Sequence, residues 1–307
     1  MTHLQSPVNN SGNVILQEEL SCQTITEAYQ RDYNIDVSRY FQGIECVKIY
    51  KCLDTGYRFY FPFTMAGDSQ LYEHLRKKPG YYGIRQEHEV AEAFFEANDL
   101  VLEIGCGDGF FLKNLQQKGI IVTGLEFNED AVIFGQKQGL NILNQDIAVH
   151  AQQHPEKYDV VCCFQVLEHI TEVHNFIAAS LEALKIGGKL IVGVPNNNPF
   201  LYEHDKYHTL NLPPHHMGLW DATSLANLEK VFNMRLERIL IERLQGDERE
   251  YYFKIQAQKL KAKAKPLGVV YEKILLSMRP TRIRWQLQKT IARVVQGRNI
   301  LALYIKH

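Results

Sequence analysis

Long apolar runs are missing from this 307-residue chain, and their absence removes one class of protein. No window approaches the ~20 uncharged apolar residues that a membrane-spanning helix needs. The first residues, MTHLQSPVNNSGN, lack a basic region followed by an apolar core, so they do not predict a secretory signal. We therefore expect a cytoplasmic protein.

Paired cysteines are missing as well. None of the six cysteines has CxxC spacing, which favours reduced, buried thiols in a cytosolic enzyme. Radical chemistry on an iron–sulfur cluster is disfavoured for the same reason. Cys46 and Cys52 supply too few ligands for a structural zinc site, and we predict no metal site.

The most informative stretch is residues 99–112, DLVLEIGCGDGFFL. Its apolar run predicts a strand covered on both faces, and a helix is predicted from Phe110 onward. Glycines between a strand and a helix N-terminus let a nucleotide-like ligand approach unpaired backbone N–H groups. The dinucleotide fingerprint G-x-G-x-x-G would need glycine at position 110, so a nicotinamide cofactor is disfavoured. Glu103, at the strand end, would repel a pyrophosphate and attract an amino group.

The motif EIGCGDG resembles the first motif of class I S-adenosylmethionine (SAM)-dependent methyltransferases. The resemblance implies SAM as cofactor, S-adenosylhomocysteine (SAH) as product, and a doubly wound, mostly parallel, seven-stranded Rossmann-like α/β sheet. Alternating strand and helix patterns after the motif also favour a parallel sheet. The cofactor-binding residues that we expect are Glu103, Gly105, Cys106, Gly107, Gly109, Glu126, Phe127, Asp146, Ile147, Gln165, Tyr82 and Arg85.

Two acids of this set have specific expected roles. Glu126 ends the second strand of the core, 21 residues after Gly105, where an acid can accept both ribose hydroxyls. A solvated strand-end acid is the alternative. The resemblance places Asp146 on the adenine amino group and the backbone N–H of Ile147 on the adenine ring. A helix N-cap is the alternative for Asp146.

The segment 81–85 resembles one that precedes the core domain in sugar-modifying and related methyltransferases. There an aromatic and a basic residue help to hold SAM, which implies this role for Tyr82 and Arg85. A packing hinge between cap and core is the alternative. The predicted organisation is a mobile N-terminus (1–20), an N-terminal cap (21–98), a SAM-binding core (99–245), a basic helical insertion (246–297) and a last core strand (298–307).

Histidines supply the candidate catalytic groups. The sequence LEH ending at His169 resembles the family's fourth motif, and PPHHMGLWD resembles a stretch in bacterial methyltransferases acting on sugars, lipid-linked intermediates or quinone precursors. A histidine with an ordinary pKa of ~6.5 suits proton removal from an acceptor. We predict His216 or His215 as the base, then His169; the alternative is that they only bind substrate or hydrogen-bond the loop. Residues expected to orient a polar acceptor are Tyr202, Glu203 and His204.

The formal net charge of −1 hides a basic segment. Residues 254–298 contain twelve Lys or Arg and one acid, Glu272. Residues 254–265 predict a solvated helix, whereas a later amphipathic helix with Trp285 favours either packing on protein, as a lid or homodimer contact, or peripheral membrane contact. The site loops lack the aromatic and basic interleaving of a base-stacking channel, so no nucleic-acid partner is expected.

These observations predict a SAM-dependent methyltransferase, in particular an O-methyltransferase. The acceptor that we expect is a hydroxyl of a sugar or glycolipid-type metabolite, either a small molecule or lipid-linked. Two alternatives stay open. One is O-methylation of a quinone or phenolic precursor, which would prefer a drier, aromatic pocket, and the other is a SAM-binding scaffold protein without transfer activity.

Overall fold

The computed structural model describes residues 4–77, 85–197, 207–244, 246–264 and 294–307, with the isolated positions 266, 267, 269 and 290. Its strands are β1 (Val14–Leu20), β2 (Val47–Cys52), β3 (Arg58–Phe61), β4 (Leu100–Ile104), β5 (Ile121–Leu125), β6 (Ile142–Leu143), β7 (Tyr158–Phe164), β8 (Leu184–Pro195), β9 (Gly218–Leu219), β10 (Met234–Arg243) and β11 (Gln296–Lys306). Its α-helices are α1 (Cys22–Tyr33), α2 (Ser69–Arg76), α3 (Gln86–Ala91), α4 (Phe110–Gln117), α5 (Glu129–Lys137), α6 (Ile147–Gln153), α7 (Val173–Ala183), α8 (Ala222–Ala226) and α9 (Gly246–Lys263).

A seven-stranded sheet in the order β10–β11–β8–β7–β4–β5–β6 forms the core. β4 pairs in parallel with β5 and β7, while β11 runs antiparallel to both β8 and β10. The doubly wound, mostly parallel sheet predicted from the sequence is therefore confirmed, and its last strand in the chain, β11, is antiparallel to both neighbours. The carboxyl ends of β4, β5, β7 and β8 meet at one edge, which is the ligand side of such sheets.

Both faces of the central strands are covered, which explains their continuous apolar sequences. Leu102 of β4 and Val161 of β7 belong to one buried cluster, whereas Val101 and Val160 belong to a cluster on the opposite face. Successive side chains of a strand point to opposite faces, so each face receives every second residue. The sheet is therefore rigidly held where its strands end at the site.

A second, antiparallel sheet lies in the N-terminal region, in the order β1–β2–β3–β9. A hairpin turn at residues 54–56 joins β2 to β3, and Gly56 adopts φ +77° there. β9 belongs to the loop that follows β8, so this loop completes the N-terminal sheet. Tyr29 Oη donates to the carbonyl of Leu212 (2.9 Å), which fixes the same loop from α1.

One expectation about local structure is wrong. Residues 1–20 are not all mobile, because Val14–Leu20 pairs with β2 and Val8 is fully buried. α7 stops at Ala183 and β8 begins at Leu184, so Gly187 and Gly188 lie within this strand. The backbone approaches closely at Gly188, where an added Cβ would lie 2.8 Å from the carbonyl oxygen of Lys185.

The start of the basic insertion is helical, as predicted, but it is not simply solvated. Phe253, Ile255 and Ala257 of α9 are buried. Trp285 and most of the predicted amphipathic helix lie outside the described residues. Val294, which is described, is exposed. Within the part of the chain that the structure describes, no helix combines the length and apolar character needed to cross a bilayer.

Candidate functional site

The glycine turn, residues Gly105–Gly109, connects β4 to α4 at the ligand edge. All three of its glycines have positive φ, between +53° and +77°. A Cβ on Gly105 would lie 2.4 Å from Cγ2 of Val166, and one on Gly109 would lie 2.5 Å from Leu140. The turn therefore needs glycine for its conformation and for its close packing. The predicted Cys106 is buried beneath it.

Glu126 follows β5 and is tied to the glycine turn. Its carboxylate accepts hydrogen bonds from the backbone N–H of Gly107 (2.9 Å) and of Asn128 (2.8 Å). Asn128 in turn caps α5 by accepting from the N–H of Ala131 (3.0 Å). Because a carboxylate has about four lone-pair sites, two remain for further donors. The two backbone bonds fix Glu126 beside the glycine turn, and its contact with the ribose stays a prediction.

Glu103 is only 3% exposed, and its Oε2 has no hydrogen-bond partner among the described residues. Burial, with a smaller contribution from the charge of Glu126, raises the pKa of the Glu103 carboxyl to about 8. An unpaired buried carboxyl is costly unless a donor or positive charge reaches it. The amino group of SAM has that chemistry, so the residues at this end fit the cofactor.

The predicted adenine contacts lie beside this turn but already have structural roles. Asp146 is the N-cap of α6 and accepts from the N–H of Ala148 (2.8 Å). Ile147 is buried, whereas the ring of Phe127 is 65% exposed. The N-cap alternative for Asp146 is therefore present in the structure. An N-cap uses one carboxylate oxygen, so the adenine contact stays a prediction.

Gln165 contacts Glu87, a buried residue that sequence reasoning missed. Its backbone adopts φ +56°, and its Nε2 donates to Oε2 of Glu87 (3.2 Å) and Oδ1 of Asn299 (3.3 Å). Burial raises the pKa of the Glu87 carboxyl to about 7. Glu87 stands in an ordinary helical pattern, so no local signal distinguished it. Arg85 precedes α3, and Tyr82 lies outside the described residues.

The three predicted catalytic histidines come together although two loops supply them. His169 follows β7, and His215 and His216 lie in the loop after β8. The ring centroid of His169 is 4.6 Å from that of His215 and 4.9 Å from that of His216. We call these three residues the histidine cluster. The predicted acceptor-orienting residues Tyr202, Glu203 and His204 lie outside the described residues.

Hydrogen bonds fix the imidazole rings of the cluster. Nδ1 of His169 donates to the carbonyl of His215 (2.6 Å), and Nδ1 of His215 donates to the carbonyl of Leu210 (2.8 Å). Nδ1 of His216 lies 3.2 Å from Oδ1 of Asn211. A carbonyl oxygen only accepts, so these Nδ1 atoms carry the hydrogen and the Nε2 atoms hold the lone pair.

The predicted ordinary pKa is not found in this cluster. Burial lowers the pKa of His169 to about 4 and holds the pKa values of His215 and His216 well below the usual range. The imidazoles are therefore neutral at physiological pH. Sequence reasoning named the neighbouring Glu168 only as part of a motif, yet its carboxylate lies between two of these rings. Burial raises the pKa of Glu168 to about 8.

Comparison with known proteins places this geometry in a family. A family model described as a methyltransferase domain matches residues 72–238, more than half of the chain. The chain belongs to this methyltransferase family. The match includes the glycine turn, Glu126 and the histidine cluster. The predicted class I SAM-dependent methyltransferase, with SAM as cofactor, is thereby confirmed at the level of family and fold.

Curated relatives resemble part of the chain. The ubiquinone biosynthesis O-methyltransferase of Saccharophagus degradans is 33% identical over 112 residues, covering 34% of this chain and 48% of that protein. The protein of the same name from Pseudomonas fluorescens is 32% identical over 112 residues, with the same coverage. The chain thus spans just under half the length of these relatives.

A solved structure extends the likeness of the fold. Coclaurine N-methyltransferase, bound to N-methylheliamine and SAH, has a TM-score of 0.50 and 14% identity, covering 78% of this chain and 81% of that one. At this identity the likeness concerns the fold alone.

Proposed function

We propose that the protein transfers a methyl group from SAM to a phenolic hydroxyl of a quinone-precursor type of acceptor. The single observation that carries the methyltransferase part is the Glu126 carboxylate held on the N–H of Gly107 in the glycine turn. In this arrangement one nucleoside can contact a fixed hydrogen-bond acceptor, the glycine backbone and the N-terminus of α4. The names of the curated relatives support a phenolic acceptor over a sugar.

The histidine cluster supports the same preference. His215 and His216 are buried, and the ring of Tyr72 lies edge-on to His169 with centroids 5.4 Å apart. Aromatic edges and faces attract another aromatic ring, whereas a sugar needs many polar partners. A phenol therefore suits this end of the site better than the sugar or glycolipid acceptor expected from the sequence.

Methyl transfer from SAM needs few catalytic groups from the protein. The sulfonium of SAM supplies an already activated methyl group, so the chain's main task is to align donor and acceptor. Glu103 and Glu126 would hold the donor, and the neutral Nε2 atoms of the histidine cluster would take hydrogen bonds from the acceptor hydroxyl. Because the pKa of His169 is about 4, we expect it to orient the hydroxyl and to be a weak base.

The proposal is tested by methyl transfer from labelled SAM to two acceptors offered separately, 3,4-dihydroxybenzoate and a UDP-sugar. We expect a methyl ether and SAH with the diphenol, at a rate at least tenfold above that with the sugar nucleotide. Methylation of the sugar alone would contradict the phenolic proposal and favour our sequence-based expectation. SAH binding without transfer to any acceptor would favour the scaffold alternative.

A further inference from the structure

Four side chains at the carboxyl edge of the sheet have possible ligand atoms close to one another. They are Glu168, His169, His215 and His216. We propose that they form a binding site for one divalent transition-metal ion, with Zn²⁺ the best match. The inference concerns metal binding only, and it holds whether or not the phenolic acceptor is correct. In the metal-bound protein the ring nitrogens would hold the ion, so the hydrogen bonds to the acceptor hydroxyl described above belong to the metal-free protein.

The spacing of the ligand atoms is close to that of a metal centre. One nitrogen from each histidine of the cluster lies within 4.8 Å of the others. Oε1 of Glu168 lies 3.8 Å from Nε2 of His169 and 3.9 Å from Nε2 of His216. A tetrahedral ion with bonds of about 2.0–2.1 Å separates its ligands by about 3.3–3.4 Å. To reach that geometry, Glu168 would have to approach the rings of His169 and His216 by about half an ångström, and the ring nitrogens would have to approach one another by up to about 1.4 Å.

The hydrogen bonds of the rings are those of metal ligands. Metal-binding histidines usually donate their second N–H to a carbonyl or carboxylate, which fixes the tautomer and the ring. His169 and His215 donate to backbone carbonyls in this way, and His216 faces the amide oxygen of Asn211. Asn211 is itself oriented, since its Nδ2 donates to Oδ1 of Asn197 (3.0 Å).

The buried carboxylate of Glu168 independently indicates a binding site for a cation. Its side chain is 1% exposed, and neither carboxylate oxygen has a hydrogen-bond partner in the described parts of the chain. Its distances to the imidazoles are too long for hydrogen bonds. The guanidinium of Arg85 is near enough to act electrostatically on Glu168. A bound cation would compensate the buried carboxylate and use its unpaired oxygens.

The ligand set selects the kind of ion. Three imidazole nitrogens and one carboxylate oxygen suit Zn²⁺ and related transition metals, whereas Mg²⁺ and Ca²⁺ prefer oxygen. Arg85 opposes any cation here, so the three histidines must supply most of the affinity.

The test uses the full-length protein, freed of metal with a chelator, and titrates it with Zn²⁺ alone and with Co²⁺ alone. We expect one equivalent of Zn²⁺ to bind and to raise the melting temperature, as ligands of the native state do. Co²⁺ should show the strong visible absorption of tetrahedral coordination. His216→Ala and Glu168→Gln should each weaken Zn²⁺ affinity at least tenfold.

His174→Gln is the matched control, because Nδ1 of His174 also lies on a backbone carbonyl, that of Val8 (2.9 Å), but outside the cluster. This variant should bind Zn²⁺ like the wild type. SAH binding reports whether each cluster variant is folded, since the glycine turn is separate from the mutated groups. Absence of stoichiometric binding, or unchanged affinity in both folded cluster variants, would overturn the proposal.

Failure of this inference and failure of the proposed function are distinguishable. Metal titration needs neither SAM nor an acceptor, so Zn²⁺ binding without phenol methylation would leave the metal site standing. Phenol methylation by a protein that binds no Zn²⁺ or Co²⁺ would leave the function standing and remove the site.

Discussion

The glycine turn and the histidine cluster lie at the same edge of the sheet, but different parts of the chain determine them. The turn and its carboxylates lie between Glu103 and Glu126, within two consecutive strand–helix units. Its contacts are largely backbone ones, such as the N–H of Gly107 on Glu126. The cluster consists of side chains from two distant loops. One of those loops is held by the N-terminal sheet, through β9 and the hydrogen bond of Tyr29 to Leu212.

Because of this difference, we expect the two regions to respond differently to substitutions. A backbone site depends on the conformation of a few residues, and side chains elsewhere affect it little. A buried side-chain site depends on every element packed around it, since burial sets the protonation of its groups. The two regions come close to each other where Gly105 lies against Val166, in the loop that leads to Glu168 and His169.

The largest effect is expected from Gly105→Ala, which would disturb both regions at once. The residue has φ +72°, and its Cβ would lie 2.4 Å from Val166. Positive φ costs roughly 1–2 kcal/mol and overpacking roughly 1–3 kcal/mol. We expect the free energy of unfolding to fall by about 2–5 kcal/mol, measured by urea unfolding, with loss of SAH binding.

Gly119→Ala is the control for the backbone term, because Gly119 has φ +80° and nothing within 4 Å of an added Cβ. It should cost only the backbone part, roughly 1–2 kcal/mol, and leave SAH binding intact. Equal losses in the two variants would show that the contact between the regions carries no weight.

A smaller effect is expected on the pH dependence of stability, and it arises from Glu103 beside the glycine turn. The native pKa of Glu103 is about 8, whereas an unfolded glutamate has ~4.3, so the native state keeps a proton that the unfolded chain releases. Stability should therefore fall as pH rises from 6 to 8. Glu103→Gln removes this titration. Between pH 6 and pH 8 the variant should therefore lose about 2 kcal/mol less unfolding free energy than the wild type.

Urea unfolding at pH 6, 7 and 8 measures this difference. The exposed Glu129, on the first turn of α5, offers a matched control, and Glu129→Gln should follow the wild type. Parallel pH curves for the wild type and Glu103→Gln would show that Glu103 is ionised in the native protein at neutral pH.

Sequence reasoning succeeded where the determinants are local. The run of glycines after an apolar strand predicts the turn. The mostly parallel sheet follows because alternating strand–helix units leave few alternatives. Glu126 could be placed as well, since strand and helix lengths fix its distance from Gly105.

Properties that arise from packing could not be predicted. The low pKa of His169 comes from burial by loops remote in sequence, and nothing near the residue indicates it. Glu87 and Glu168 look like ordinary helix and loop acids, yet tertiary packing buries both. The pairing of β1 with β2 was missed for a related reason, because its burial alternates weakly and its partner lies 30 residues away.

The most direct test of the separation between the two regions is calorimetric titration with SAH of the wild type, Glu126→Ala and His216→Ala. We expect one-to-one binding by the wild type, an affinity at least tenfold lower in Glu126→Ala, and nearly wild-type affinity in His216→Ala. A charged hydrogen bond is worth about 1.5–3 kcal/mol, or roughly ten- to a hundredfold in affinity. Unchanged binding by Glu126→Ala, or an equal loss in folded His216→Ala, would contradict the account.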